Sequence, residues 1–301
     1  MATLYTHQNS NIRKTWFLMT SFFLVVIAIG WAISWYMDSQ LFLYIAVIFA
    51  VSMNMYSYWN SDKLVIRLTG AYEADSVRFR ELHNIVENLA ITAVLPKPRV
   101  YVVDDMSPNA FATGRDPEHG VVAVTTGLVE LLNRTELEGV IAHELSHIGN
   151  RDILVSTVAV VLAGFVAILS DFFIRMLFWG GGDRDRNIHP IVYVLGLVAI
   201  ILAPIAASLI QMAISRKREF LADASGALLT RYPDGLASAL HKISQSAEAV
   251  GGMKRTSHAT SHLFIADPFG RKKGISATLG NLFKTHPPVE ERIQALLGPQ
   301  L

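Results

Sequence analysis

Residues 15–37 read TWFLMTSFFLVVIAIGWAISWYM, a run of 23 without one Asp, Glu, Lys or Arg. At about 1.5 Å per residue, a helix of that length exceeds the roughly 30 Å hydrocarbon core of a bilayer, so the run is expected to span it. Trp31, Trp35 and Tyr36 fall where interfacial anchors do, and no small-residue cleavage site follows. The segment therefore reads as a retained anchor and not as a signal peptide. Working outward, a second uncharged run, 39–61, follows the lone Asp38 and closes a tight hairpin. A third run, 153–170, reaches spanning length by taking in Asp171 and Arg175, which lie four apart and can pair on one helix face. The fourth, 187–215, holds no charged residue and carries Pro204, where a helix would kink.

Composition agrees with this reading. Only 17% of residues are charged and 51% are apolar, whereas a soluble chain carries roughly 25% charged residues. The formal net charge of +1 is too balanced to point to a nucleic-acid partner. With no cysteine in the chain, disulfides, thiolate metal sites and cysteine nucleophiles are all excluded. Arg13 and Lys14 precede the first run, Lys63 and Arg67 follow the second, and Arg216, Lys217 and Arg218 leave the fourth. By the positive-inside tendency, both polar segments are expected to be cytoplasmic.

The expected organisation is a cytoplasmic N-terminus (1–14), transmembrane hairpin 1 (15–61), a first half of a polar domain (62–152), transmembrane hairpin 2 (153–215) and a second half (216–301). The two polar halves together suffice for one ordinary core. The fold class expected is a membrane α+β protein: four transmembrane helices in two hairpins, with a mainly helical polar domain carrying a small sheet. Helical spacing covers 74–93, strand-like runs cover 99–104, 109–113 and 120–126, and a further helix covers 237–249. Thr135 with Glu138 suggests a capping box opening the helix between them. Residues 251–280, rich in Gly, Ser, Thr and Lys, read as a mobile loop.

The chemistry lies in His143-Glu144-Leu145-Ser146-His147. Two imidazoles one helical turn apart, about 6 Å along the axis, share a face and can ligate one ion. Glu144 lies about 100° around from His143, so its carboxylate can reach an attacking water instead of competing as a ligand, which makes it the natural general base. A catalytic zinc site takes three protein ligands and leaves one position open. The helix continues as Ile148-Gly149-Asn150-Arg151-Asp152 with no further His, so a carboxylate is expected to be the third. Glu219 and Asp223 stand i and i+4, so one can bind the metal while the other orients a ligand imidazole. An even number of crossings, two, returns the chain from the His pair to these carboxylates on the same side.

Taken in order, these pieces resemble the HtpX heat-shock membrane proteases, relatives of the CAAX prenyl proteases. The matching pieces are the four apolar runs, Pro108-Asn109-Ala110-Phe111-Ala112-Thr113-Gly114, the His143–His147 motif with its Gly149-Asn150-Arg151-Asp152 tail, residues 219–223, and Thr285-His286-Pro287-Pro288-Val289-Glu290-Glu291-Arg292. The resemblance covers nearly the whole chain. It implies that 62–152 and 216–301 are the two halves of one zincin-like catalytic domain, with one zinc ion per chain, Glu219 as third ligand, Asp223 as the group behind a ligand imidazole, and Asn109, Ala110, Phe111 and Ala112 as an edge strand holding substrate backbone. It also implies that His286 and Arg292 help stabilise negative charge on the reacting carbonyl. The expected protein is a zinc-dependent endopeptidase of a bacterial inner membrane, acting in quality control and stress response on membrane-protein or unfolded polypeptide substrates.

Three rival readings are weighed. A site-2 type intramembrane enzyme, with Asp234 as the distal carboxylate, conflicts with Glu136, Glu138, Arg151 and Asp152 around the His motif, which are costly in hydrocarbon. A CAAX-type processing protease shares the motifs but encloses a chamber with about seven spans. A non-catalytic metal-binding scaffold would keep the ligands without turnover. The sequence leaves the oligomeric state open.

Overall fold

The first two apolar runs form long helices, α1 (Leu4–Tyr36) and α2 (Leu41–Thr69). At the turn between them Asp38 takes a left-handed φ of 48°, Ser39 N–H donates to Ser34 O at 3.0 Å and Ser34 Oγ donates to Ser39 O at 2.8 Å. The turn thus satisfies backbone groups that lipid could not. Gly30 lets the two helices meet, since a Cβ there would stand 2.2 Å from Ala46 Cβ. Trp16, Trp31, Trp35, Ile48 and Trp59 are each more than half exposed. Large apolar side chains uncovered by protein are what a lipid-facing surface presents.

This computed structural model describes residues 4–36, 38–179, 216–250, 253, 263–265 and 287–298. Among them, α1 and α2 supply two helices long and apolar enough to cross a membrane. The third apolar run lies within α6 (Asp152–Trp179), and the fourth, 187–215, falls outside the described residues. The chain divides into two compact units. One comprises Met1–Ile12, Ser61–Thr157 and Ile214–Leu301, the other Arg13–Asn60 and Val158–Ala213.

Within the first unit, β-branched runs make the strands. β1 (Tyr72–Glu73), β2 (Arg99–Val103), β3 (Ala110–Thr113) and β4 (Val121–Thr125) form one sheet in the order β1-β2-β4-β3. β2 and β4 run parallel with Arg99 opposite Val121, and β3 lies antiparallel to β4 with Ala110 opposite Val124. β3 is therefore an edge. Thr125 N–H donates to Asn109 O at 2.9 Å, which fixes the parity: Phe111 and Thr113 bond to β4, while Ala110 and Ala112 turn their backbone groups to the open side.

The helices of this unit are α3 (Arg80–Thr92), α4 (Thr126–Leu131), α5 (Arg134–Gly149), α7 (Arg216–Thr230), α8 (Pro233–Val250) and α9 (Val289–Leu297). α5 is the hub. Its Leu137, Val140, Ile141, Ala142, Leu145 and Ile148 are buried on nearly every side, in one core with the sheet, α3 and α8. α7 packs tightly against α5, because Gly226 has no side chain: a Cβ there would meet His143 N at 2.9 Å.

Three boundaries differ from the sequence reading. Helix α3 begins at Arg80 and not at 74, because Asp75 Oδ1 accepts from Val77 N at 3.0 Å and Arg78 N at 2.7 Å and holds that stretch as a turn. The cap of α5 is Asn133 with Glu136, two residues ahead of the expected Thr135 with Glu138. Thr135 Oγ1 instead donates to Asn133 Oδ1 at 2.8 Å, and Glu136 is held by Ser238 at 2.6 Å and Lys242 at 2.8 Å. Helix α8 starts at Pro233, a residue suited to a first helical position, four residues before the expected 237. Of the expected loop at 251–280, Met253, Leu263, Phe264 and Ile265 are described, and all four are buried.

Candidate active site

One turn of α5 sets His143 Nε2 and His147 Nε2 3.2 Å apart. From α7, Glu219 Oε2 comes to 3.9 Å from His143 Nε2, and Glu219 Oε1 to 3.6 Å from His147 Nε2. At bond lengths of about 2.0–2.2 Å, tetrahedral neighbours around an ion stand about 3.3–3.6 Å apart. The donor set matches that spacing with little movement, and all three donor atoms lie within 4.8 Å of one another. Two imidazoles and one carboxylate are the ligand types of a catalytic centre with an open position.

Each imidazole turns its other nitrogen to a carboxylate. His143 Nδ1 lies 2.9 Å from Asp223 Oδ1, and Asp223 is gripped from behind by Arg292, whose Nη2 and Nε donate to its two oxygens at 2.7 and 2.8 Å. His147 Nδ1 lies 3.1 Å from Asp152 Oδ2. An imidazole that donates from Nδ1 keeps the Nε2 lone pair for a metal, so both rings are oriented as ligands.

The electrostatics follow from burial and neighbours. Burial opposes the charge on Asp223, but the Arg292 fork and the His143 contact outweigh it and hold the carboxyl down at about 2. Burial lowers the pKa of His143. For His147 burial acts in the same direction, yet the Asp152 hydrogen bond and the charges of Glu219, Asp152 and Glu144 prevail and push it up to about 9. Burial pushes the Glu144 carboxyl up to about 7, opposed in part by the His147 and Arg292 charges and by the Ala112 N–H. Glu144 is 2% exposed.

The structure thus brings together His143, Glu144, His147, Glu219, Asp223 and Arg292. Arg292 is 0% exposed, its Nη1 donates to Ile265 O at 3.2 Å, and its Nη2 stands 3.5 Å from His143 Nδ1. His286 lies outside the described residues. Asn109, Ala110, Phe111 and Ala112 are buried, with Ala112 N–H at Glu144. Part of that edge already has a partner, for Ile265 N–H donates to Ala110 O at 2.9 Å and Phe264 packs edge-on to Phe111 with ring centroids 5.1 Å apart.

The family model described as Peptidase family M48 matches residues 76–300, from just after β1 to past Arg292. The chain belongs to Peptidase family M48. Its M48 relatives include a "Protease HtpX homolog" of Caldanaerobacter subterraneus subsp. tengcongensis, 47% identical over 98% of this chain and 97% of the relative. One of Streptococcus gordonii is 44% identical over 97% and 99%, and one of Pyrococcus furiosus is 52% identical over 84% of each. Among solved structures, the crystal structure of S. mikatae Ste24p aligns with 98% of this chain and 66% of its own, at 19% identity and a TM-score of 0.49. As an M48 member with HtpX relatives, two membrane-length helices and a metal-competent triad, the protein is a membrane metalloprotease that acts on polypeptides.

Sequence reasoning passed over Asp152, Arg218 and Asn11. Asp152 stood in the quoted tail of the His motif, five residues past His147, and that spacing was the only available signal. Arg218 Nε is 3.5 Å from Asp152 Oδ1, and Asn11 Nδ2 donates to the same oxygen at 2.6 Å. No local pattern links residue 11 to residue 152.

Proposed function

We propose that the protein is a zinc endopeptidase in which His143, His147 and Glu219 hold the ion and Glu144 is the general base. The observation that carries this reading is the 3.2–3.9 Å triangle of donor atoms with a buried carboxylate one residue from the first ligand. Bound there, zinc would polarise the scissile carbonyl and make an attacking water acidic near neutral pH. Glu144, with a carboxyl poised at about 7, takes the proton of the attacking water and passes it to the leaving amine. Asp223 fixes His143. Arg292, expected from the family resemblance to help stabilise negative charge on the reacting carbonyl, also grips Asp223 through Nε and Nη2.

Substrate lies extended along β3, at Asn109–Ala112, pairing with the outward carbonyl of Ala112 and reading little sequence. Such a mode suits damaged or unfolded polypeptides, and the anchors in the same chain favour the exposed segments of membrane proteins. The basic residues flanking the apolar runs support a catalytic unit at the cytoplasmic face of a bacterial inner membrane, where a quality-control and stress role fits an enzyme of this kind.

Glu144→Gln in purified, detergent-solubilised protein tests the assignment. The substitution keeps size and leaves the three donors intact, so bound zinc stays stoichiometric while casein cleavage falls by about 10²–10⁴-fold. Equal cleavage by the two proteins would leave a metal-binding scaffold as the better reading.

A further inference from the structure

We infer that Asn11 is a positioning residue of the metal site: acting through Asp152, it fixes the His147 imidazole, so the start of helix α1 belongs to the site as well as to the anchor. The inference rests on the proposed ligand role of His147 and goes beyond it.

The contacts form a chain with a separate task for each carboxylate oxygen. Asp152 Oδ2 faces His147 Nδ1 at 3.1 Å, while Asp152 Oδ1 accepts from Asn11 Nδ2 at 2.6 Å and lies 3.5 Å from Arg218 Nε. A carboxylate held at one oxygen only can rotate about its terminal torsion and carry its hydrogen-bonded imidazole with it. Held at both, it presents Oδ2 in one direction. The arrangement repeats that at His143, where Arg292 plays the part that Asn11 and Arg218 share here.

The backbone supports the same assignment. Between α5 and α6, Arg151 sits at φ 57°, in the left-handed region that a residue other than glycine occupies only against steric strain. That turn brings Asp152 back beneath His147 only five residues later. Asn11 Nδ2 also donates to Asn150 O at 3.0 Å, so a single amide ties both the carboxylate and the turn that delivers it. Asn11 is 4% exposed and Asp152 3%. A buried carboxamide costs free energy unless it is hydrogen-bonded, and these two bonds account for its presence on a helix that becomes apolar four residues later.

The alternative is that Asn11 merely fastens α1 to the rest of its unit. A double-mutant cycle on the full chain in detergent separates the two, with zinc alone as the probe and a chromogenic chelator as competitor. Asn11→Ala is expected to weaken zinc binding about tenfold, and Asp152→Asn about 10–100-fold, the usual range for groups that orient a ligand. The double variant is expected to be no weaker than Asp152→Asn alone, because both act on one ring. The rise in unfolding temperature on adding zinc to the chelator-treated protein should shrink in parallel. Unchanged zinc affinity in Asn11→Ala, or losses that multiply in the double variant, would overturn the inference. Should Asn11→Ala not be recovered, Asn11→Asp keeps the size, sets a second carboxylate against Asp152, and is expected to bind zinc less tightly than wild type; equal binding overturns the inference. Failure of the wild-type protein itself to bind zinc would sink the ligand assignment, a separate and distinguishable result.

Discussion

The two histidines of the motif sit one turn apart on one helix, face the same point, and are nonetheless held in opposite ways. His143 stands in a closed arm: it, Asp223 and Arg292 are each at most 1% exposed, and Arg292 grips Asp223 with two parallel bonds. His147 stands in a half-open arm, with a side chain 16% exposed and an Asp152 held by an amide and a more distant guanidinium. In the closed arm, desolvation prevails and lowers the affinity of His143 for a proton. In the half-open arm the surrounding carboxylates prevail and raise that of His147. Identical side chains four residues apart acquire different proton affinities because their neighbours differ: Asp223 and Arg292 beside His143, and Asp152, Glu219 and Glu144 beside His147. One arm supplies a neutral donor at pH 7, and the other must release a proton before it can bind metal.

The largest expected effect removes the ligand that both arms share. Glu219→Ala should lose bound metal and peptidase activity together, as elemental analysis beside a cleavage assay will read; stoichiometric metal in the variant would mean the arms close on something else. Next comes the closed arm. Arg292→Ala leaves the Asp223 charge buried without its partner and should cost about 3–5 kcal/mol in denaturant unfolding. Arg218→Ala should cost less, because Asn11 still holds Asp152. Equal losses would erase the distinction between closed and half-open.

A smaller effect lies in pH. With its pKa raised to about 9, His147 is protonated at neutral pH, so apparent zinc affinity should climb about tenfold per pH unit between pH 7 and 9 and then level off. His143, lowered, contributes no such slope. The sign for the metal-free protein follows from the same shift: stabilisation from charged His147 is full below its ordinary value near 6.5 and is lost as pH rises through about 9. Calorimetry of zinc binding in two buffers should find about one proton released at pH 7.5 in the Glu144→Gln background, which removes the other group titrating nearby; no proton released would contradict the half-open arm. The smallest effect tests the hub that carries both rings. Asn133→Ala removes the cap of α5 and should lower stability by about 1 kcal/mol without altering the zinc–pH slope.

How far the sequence carried the reading depends on the distance over which each feature is encoded. The i,i+4 pairs, His143 with His147 and Glu219 with Asp223, announce shared helix faces, and the β-branched runs announce β2 and β4, because one turn or one pleat suffices to write them. The two spans in α1 and α2 are legible for the same reason. The capping box was misplaced by two residues because Asn133 with Glu136 and Thr135 with Glu138 satisfy the same local rule, and the choice is made by Ser238 and Lys242 a hundred residues away. Strand β1 is two residues long and pairs only through β2, too short to have a period. The family resemblance implied a place for Arg292 near the metal and the reacting carbonyl, but its bidentate grip on Asp223 is a tertiary fact that no local pattern writes. Asn11 had no sequence signal at all.

The separation between the metal donors and the groups that hold them has a consequence for biosynthesis. Both imidazoles lie on α5, yet Glu219 is 76 positions later in the chain and Arg292 follows His143 by 149. A polypeptide emerging from the ribosome therefore displays its histidines long before it can grip an ion firmly. For a protease, that delay withholds the blade until the hand that holds it has been made.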